Sequence, residues 1–174
     1  MGVANAGVWL GGSIFYTVAI GPALVSKAMA LALGQTNPAV IAYYSGNIAE
    51  LMLTQYFHLQ LACATVALLH LLVEWLYLGR KLGRFWTYLL VTLFWISVVG
   101  SFLVAPKLRE GHRGQHLLNA PPAQREAAAK SFRTWQTVFR GLNVLLIAGV
   151  AVYFWRAANP PDDLRFVGSA KIRG

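Results

Sequence analysis

The sequence predicts an all-α integral membrane protein: a four-transmembrane-helix bundle with amphipathic interfacial helical segments before spans 2 and 4. Hydrophobic residues make up 57% of its 174 residues and charged residues only 12%, against about 25% charged residues in a typical soluble domain. The stretch from Phe85 to Pro106, between Arg84 and Lys107, carries no charged side chain. A helix needs about 20 apolar residues to cross the hydrocarbon core, so this stretch has the length of a span.

The first apolar run, about residues 3–25, predicts span 1. It has no basic segment ahead of it beyond the terminal amine, and it is longer than the apolar part of a signal peptide, so we expect it to be retained. Gly21 and Pro22 predict a kink or a helix end near the far interface, because proline removes a backbone hydrogen bond. A surface of small residues, on which another helix would pack closely, is predicted at Gly7, Gly11 and Gly12.

A break that contains glycine and proline precedes span 2. Asn37 has the residue type of an N-cap and Pro38 that of a first helical residue, so a helix is predicted to begin here and run to Gly79. Its length would be about 60 Å, twice the hydrocarbon thickness. Residues 39–50 should therefore lie along or above the interface, and residues 51–73 should form the span.

Span 3 is predicted at residues 85–105, after a tight basic turn at residues 79–84. Trp86 and Tyr88 follow that turn and suit the aromatic belt of a membrane interface. Beyond Pro106 the chain becomes polar and basic, so we expect its longest excursion from the bilayer there.

Span 4 is predicted at residues 140–156, in a helix that opens after Pro121 and Pro122. Arg140 and Arg156 bracket this short span, and both side chains can extend to the headgroups. Ahead of the span, helical spacing of apolar residues predicts a segment that rests on the membrane surface, with Phe132, Trp135, Phe139 and Leu142 on its apolar face.

Residues 1–158 are thus predicted to form one four-helix membrane domain, and residues 159–174 an exposed, flexible tail. Of the 15 Lys and Arg residues, seven lie on the side of the termini and eight on the other side. The short basic turn beside two spans weighs more than a long loop in the positive-inside rule. We therefore expect the termini to be cytoplasmic, in a plasma membrane of the bacterial type.

Several short motifs make the chain resemble a known family. They are Trp9 to Phe15 and Gly21-Pro22-Ala23 in span 1, Tyr56-Phe57-His58 in span 2, Ala105 to Arg109 after span 3, and Gln124 to Phe132 with Gly141-Leu142-Asn143 in the last helix. On these motifs, which extend over nearly the whole chain, the protein resembles the four-helix membrane family called domain of unknown function 4149 and is similar to the transmembrane protein 205-like proteins. The resemblance implies a membrane fold and no established activity. It also implies a loose link, through eukaryotic relatives, to the handling of metal-containing drugs.

Polar side chains inside a membrane are costly, so function is sought there first. A polar stripe of span 2, spaced i, i+3, i+7 and i+11, consists of Asn47, Glu50, Thr54 and His58. A matching stripe in the last helix consists of Gln136, Arg140 and Asn143. With four spans the two stripes lie at one membrane face, which predicts an ion pair between Glu50 and Arg140 with His58 and Asn143 below it. Interhelical hydrogen bonds that hold the bundle together are the first interpretation; a solute or ion pathway and a cofactor site are the alternatives.

A second stripe of span 2 carries donors that a metal could use. Cys63, His70 and Glu74 are spaced i, i+7 and i+11, but Cys63 is nearly two turns from His70, so one ion cannot reach both on a straight helix. A hydrogen bond from His70 to Glu74 is the simpler interpretation, with Cys63 as a small buried hydrophobe. His58 and His70 are the candidates for a haem ligand, and no cofactor is favoured.

His112 and His116 have the HxxxH spacing of a zinc-binding pair. This spacing brings two imidazoles to one face only if the segment is helical. Gly111 and Gly114 argue against a helix there, because glycine disfavours helix by about 1 kcal/mol relative to alanine. A zinc site is therefore not the preferred interpretation.

The sequence shows no paired nucleophile and base, no phosphate-binding loop and no paired carboxylates, so we lean away from an enzyme. The leading hypothesis is a membrane-embedded binding, transport-assisting or assembly protein. The alternatives are an oligomeric small-solute or metal transporter or channel, and a haem- or metal-binding redox protein. The expected partners are the lipid bilayer and, beyond it, further copies or other membrane proteins. The net charge of +9 suits anionic headgroups better than nucleic acid.

Overall fold

The computed structural model describes residues 2–24, 26–34, 37–78, 83–117 and 119–159. In these ranges the chain is helical and has no strand, which confirms the predicted all-α class. The helices are α1 at Gly2–Leu24, α2 at Lys27–Ala32, α3 at Pro38–Leu78, α4 at Arg84–Gln115 and α5 at Pro122–Ala158. Residues 79–82 of the predicted basic turn at 79–84, and residues 160–174 of the predicted tail at 159–174, lie outside the described residues.

Four of these helices, α1, α3, α4 and α5, are long and apolar enough to cross a membrane, so the protein is a multi-pass membrane protein. Consecutive long helices run in opposite directions. At one end of the bundle Gly2 lies against the His70 ring, and the Arg156 guanidinium stacks over Trp86. The other end holds the start of α3, the end of α4 and the start of α5.

The helix starts follow the local sequence. The Ser26 hydroxyl accepts a hydrogen bond from the Met29 amide at 3.2 Å and caps α2. Asn37 caps α3 as predicted, because its side-chain oxygen accepts from the Ala39 amide at 3.0 Å. Between these helices Gly34 has a φ of +61°, a left-handed conformation that glycine adopts without steric cost.

The interfacial segments predicted before spans 2 and 4 are continuous with those spans. At 41 and 37 residues, α3 and α5 are about 60 and 55 Å long, well beyond the hydrocarbon thickness. Their N-terminal parts pack with the end of α4 in what we call the helical extension: residues 38–54, 105–115 and 122–140. It lies at the end of the bundle opposite Gly2 and Arg156.

The expectation that Gly111 and Gly114 interrupt helical structure is wrong, because α4 continues to Gln115. A Cβ on Gly111 would stand only 3.0 Å from Phe132 Cβ, and a Cβ on Gly114 only 2.9 Å from Ala128 Cβ. The missing side chains let α4 approach α5 closely. That contact offsets the low helix propensity of glycine.

Two π-helical turns, at Tyr16–Ile20 and Gly100–Val104, each end just ahead of a proline. The Gly21 amide bonds to the Tyr16 carbonyl, and the Ala105 amide bonds to the Gly100 carbonyl, so each ladder shifts to i−5 before Pro22 or Pro106. A proline ring obstructs the carbonyl four residues earlier, and a π turn accommodates it without ending the helix. The chain therefore passes both prolines as helix, and α4 carries its charged end into the extension.

The predicted packing glycines of α1 have three different environments. A Cβ on Gly12 would stand 2.7 Å from the Leu59 side chain, so this glycine permits close approach of α3. Gly7 has an ordinary contact, with Phe154 at 3.7 Å from such a Cβ. Gly11 faces open space, so the predicted packing role is wrong for this residue within the protomer.

Candidate binding site in the helical extension

The centre of the helical extension is an ion-pair cluster on Glu50. Its carboxylate, with a side chain 16% exposed, receives the Arg109 Nε at 2.6 Å and an Arg113 terminal nitrogen at 3.2 Å. Arg109 also donates to the Thr54 hydroxyl at 3.4 Å. The two arginines are one turn apart on α4, so helical spacing presents both to α3. One carboxylate thus faces two guanidinium groups.

The predicted pair between Glu50 and Arg140 is therefore wrong. Arg140 lies exposed on α5, and in the described ranges it makes no ion pair and no side-chain hydrogen bond. The continuation of α4 as a helix past Pro106 explains the difference, because it brings Arg109 and Arg113 to the carboxylate first. The sequence had assigned these arginines to a loop.

His112 is the buried ring of this site, at 6% exposure. Gln115 donates to its Nδ1 at 3.2 Å, so the neutral ring carries its proton on Nε2, which is buried against α3. A Cβ on Gly46 would stand 2.0 Å from this ring, so Gly46 provides the space it occupies. Burial lowers the pKa of His112, and His116 adds to the effect, while the backbone of Tyr43 acts in the opposite direction.

An open cleft of about 140 Å³ adjoins the Glu50 cluster between α3, α4 and α5. Glu50, Thr54, Arg109, His112 and Gln136 form its polar side. Its apolar side includes Tyr16, Leu53, Leu108, Phe132 and Phe139. A wider groove of about 640 Å³, which shares His112, Phe132 and Gln136 with the cleft, continues between α3, α4 and α5 toward His116 and Glu126. The cleft therefore joins charged and apolar walls at the boundary between the extension and the spans.

Below the cleft, a chain of neutral hydrogen bonds ties α1, α3 and α5 together. Trp9 donates its indole N–H to the Gln60 side-chain oxygen, and Gln60 donates to the Ser13 hydroxyl at 2.9 Å. Tyr56 donates to the Asn143 side-chain oxygen, and Asn143 donates to the Thr17 hydroxyl at 2.8 Å. Five of these six side chains are buried and Thr17 is exposed, and each bond satisfies a polar group that lipid could not.

The predicted polar stripes separate into different environments. Asn143 is buried in this network, and Gln136 lines the cleft. Asn47 is half-buried and makes no side-chain hydrogen bond in the described part of the chain. His58 is exposed on the outward face of α3, so the prediction that it sits below the Glu50 pair beside Asn143 is wrong.

The second stripe lies at the opposite end of α3. His70 Nδ1 approaches the Glu74 carboxylate at 3.8 Å, while Cys63 is buried two turns away among apolar residues. No group of three or more His, Cys, Asp or Glu side chains that could hold a metal ion occurs in the described ranges. The two haem candidates, His58 and His70, are 12 residues or about 18 Å apart along one helix, so one haem cannot use both.

Sequence reasoning missed two sets of residues. The first, Arg109 and Arg113, could have been found from the i, i+4 spacing if the segment after Pro106 had been treated as helix. The second, Gln60 with its partners, had a signal too. Gln60 falls on the same α3 face as Tyr56, Cys63 and Ala67, a face of small and aromatic residues typical of tight packing between membrane helices.

Comparison with protein-family models, with curated proteins and with solved structures found no match to this chain. The resemblance to the four-helix family stays a prediction.

Proposed function

We propose that the protein is a non-catalytic membrane binding protein that holds the charged end of an anionic amphipathic molecule in the cleft of the helical extension. The observation that carries this proposal is the cleft itself, where Arg109 stands beside an aromatic wall at the boundary of the apolar spans. Arg113 does not line the cleft but contacts the Glu50 carboxylate that does. An amphipathic ligand has the same division into a charged and an apolar part.

The charge balance favours an anion. Two guanidinium groups face the single carboxylate of Glu50, which leaves one positive charge in excess. Each guanidinium has five N–H donors, and the contacts to Glu50 and Thr54 use few of them. Arg113 is 65% exposed, so its remaining donors are accessible to a phosphate or carboxylate.

The apolar wall favours a ligand with a hydrocarbon part. Phe132 and Phe139 line the cleft beside Leu53. A volume of about 140 Å³ is close to that of an engineered apolar cavity of about 150 Å³ that holds benzene, so the cleft accommodates one end of a lipid-sized molecule. The wider groove that continues from it offers room for the rest.

A titration of purified protein with short-chain lipids tests this function. Dihexanoyl phosphatidic acid should raise the melting temperature in detergent, whereas dihexanoyl phosphatidylcholine and inorganic phosphate should not. Arg113→Gln should weaken the response about tenfold, the size expected for one lost charge-assisted hydrogen bond. Arg140→Gln removes an exposed arginine outside the cleft and is the matched control. Equal responses to the two lipids, or equal losses in the two variants, would contradict the proposal.

We also propose that the termini are cytoplasmic, which puts the cleft on the opposite side of the membrane. The support is the positive-inside rule, in which the short basic turn between α3 and α4 counts more than the long loop on the other side. A reporter active only outside the cytoplasm should therefore be silent when fused after Arg156 and active when inserted between Ala120 and Pro121. The reverse pattern would assign the cleft to the cytoplasm.

A further inference from the structure

One face of α3 is exposed along the whole span with the spacing of a coiled coil. Its residues recur at alternating steps of three and four, the a and d positions of a heptad pattern. All are exposed. This face, which we call the α3 seam, consists of Gln55, His58, Ala62, Thr65, Leu69 and Leu72.

The polar end of the seam begins where the helical extension ends, with Gln55 at that boundary and His58 one turn deeper in the predicted span. His58 is eight residues or about 12 Å past Glu50, and 16 residues or about 24 Å before Glu74. Neither Gln55 nor His58 makes a side-chain hydrogen bond in the described part of the chain. In contrast, the outward faces of the other spans carry side chains such as Phe15, Trp95 and Val144.

The imidazole of His58, exposed to lipid, has no water to bond with, and the Gln55 amide lies at the edge of the hydrocarbon, so a partner from another chain stabilises both groups. Both groups are donor and acceptor at once: the Gln55 side chain has an amide N–H₂ and a carbonyl, and neutral His58 has one nitrogen of each kind. Each can therefore bond to a copy of itself. This self-complementarity is what a twofold interface requires.

We propose that the α3 seam is the interface of a parallel homodimer, in which Gln55 and His58 of two copies hydrogen-bond across a twofold axis along the membrane normal. Two copies in one membrane share an orientation, so a contact between their α3 helices sets equivalent a and d residues opposite each other. Ala62 and Thr65 are small enough to let the helices approach below the polar pair. Leu69 and Leu72 then complete the seam with apolar contacts.

Cysteine cross-linking in liposomes tests the interface directly. In a Cys63→Ala background, Ala62→Cys should form a covalent dimer with a short bis-maleimide at a low ratio of protein to lipid. Ala148→Cys, an exposed alanine in the middle of α5, is the matched control and should stay monomeric. Failure of Ala62→Cys to cross-link, or equal cross-linking at both positions, would overturn the proposal.

A second measurement uses the natural seam and does not depend on a new cysteine. Energy transfer between labelled copies should show that Gln55→Leu with His58→Leu weakens association about three- to thirtyfold, the range expected for interhelical hydrogen bonds in membranes. Gln55→Asn with His58→Gln should largely preserve association, because the new amides also pair with themselves. Loss of the dimer in this amide variant would contradict the hydrogen-bonded seam and favour a metal or haem shared by two His58 rings. Unchanged association in the leucine variant would contradict it as well.

Discussion

The spans and the helical extension use polar residues in opposite ways. In the spans the hydrogen bonds between helices join neutral groups, as Gln60 does with Trp9 and Ser13. In the extension the polar groups are charged and partly exposed, as Glu50 and Arg113 are, and they leave a cleft between the helices. The spans are therefore tightly packed, whereas the extension contains an accessible site.

The difference follows from the solvent around each half. In hydrocarbon an unpaired polar group has no alternative partner, so tight packing that pairs such groups is favoured. At the headgroup level water and lipid phosphates substitute for missing partners, and a charged cleft can stay open. Substitutions should therefore cost more in the spans than chemically similar ones in the extension.

A glycine substitution should give the largest contrast. A Cβ on Gly100 would stand 2.2 Å from the Phe57 ring, which is itself buried, so Gly100→Ala should reduce the free energy of unfolding by about 3 kcal/mol through overpacking. Gly46→Ala, with a Cβ 2.0 Å from His112, should cost less because that ring can shift into the adjoining groove.

Denaturant unfolding in mixed micelles measures both variants, with Gly141→Ala as the control because its Cβ would meet open space. Equal losses at Gly100 and Gly46 would mean that the extension is packed as rigidly as the spans.

Removal of a neutral hydrogen bond should give the next effect. Gln60→Leu leaves the buried Trp9 indole N–H without a partner and removes one of the two hydrogen bonds of the Ser13 hydroxyl, at a cost of about 2 kcal/mol. Gln124→Leu, an exposed change in the extension, should cost less than about 0.5 kcal/mol. The same unfolding assay compares them. Near-zero loss for Gln60→Leu would show that the network does not stabilise the bundle.

The same division explains what the sequence could predict. Span number, the helix starts at Pro38 and Pro122, and the all-α class follow from apolar length and local capping, which are properties of short segments. Which polar side chains pair with each other does not follow from short segments. The partner of Glu50 depends on whether α4 continues as a helix through Pro106. That continuation depends in turn on the π turn at Gly100–Val104 and on the contact between Gly111 and α5.

His58 shows the other limit of the sequence. The spacing between His58 and Glu50 correctly puts both residues on one broad face of α3. A face this broad borders more than one environment, however. Glu50 reaches α4 at the edge of that face, and His58 is turned outward. Only the packing of the neighbouring helices decides which polar residues of a stripe meet a partner.

The ion pairs of the extension should give a smaller effect. Glu50→Gln should cost about 1 kcal/mol, the upper end for partly exposed pairs. A double-mutant cycle between Glu50→Gln and Arg109→Gln should show coupling, whereas the cycle with Arg140→Gln should be additive. Coupling to Arg140 with none to Arg109 would restore the pair that the sequence predicted and contradict the observed geometry.

The smallest expected effect is a pH dependence confined to the extension. Burial lowers the pKa of His112 below its usual 6.5, and the nearby His116 lowers it further. The backbone of Tyr43 and the negative charge of Glu50 oppose this shift of the pKa. As the pH falls through 6.5 the unfolded chain takes up a proton that the folded ring resists, so stability decreases until the lowered pKa is reached. Hydrogen exchange of residues 105–115 should accelerate over this window, and exchange of residues 85–99 should not. His112→Gln should abolish the acceleration, because an amide does not titrate; an unchanged pH response in this variant would assign the effect to another group.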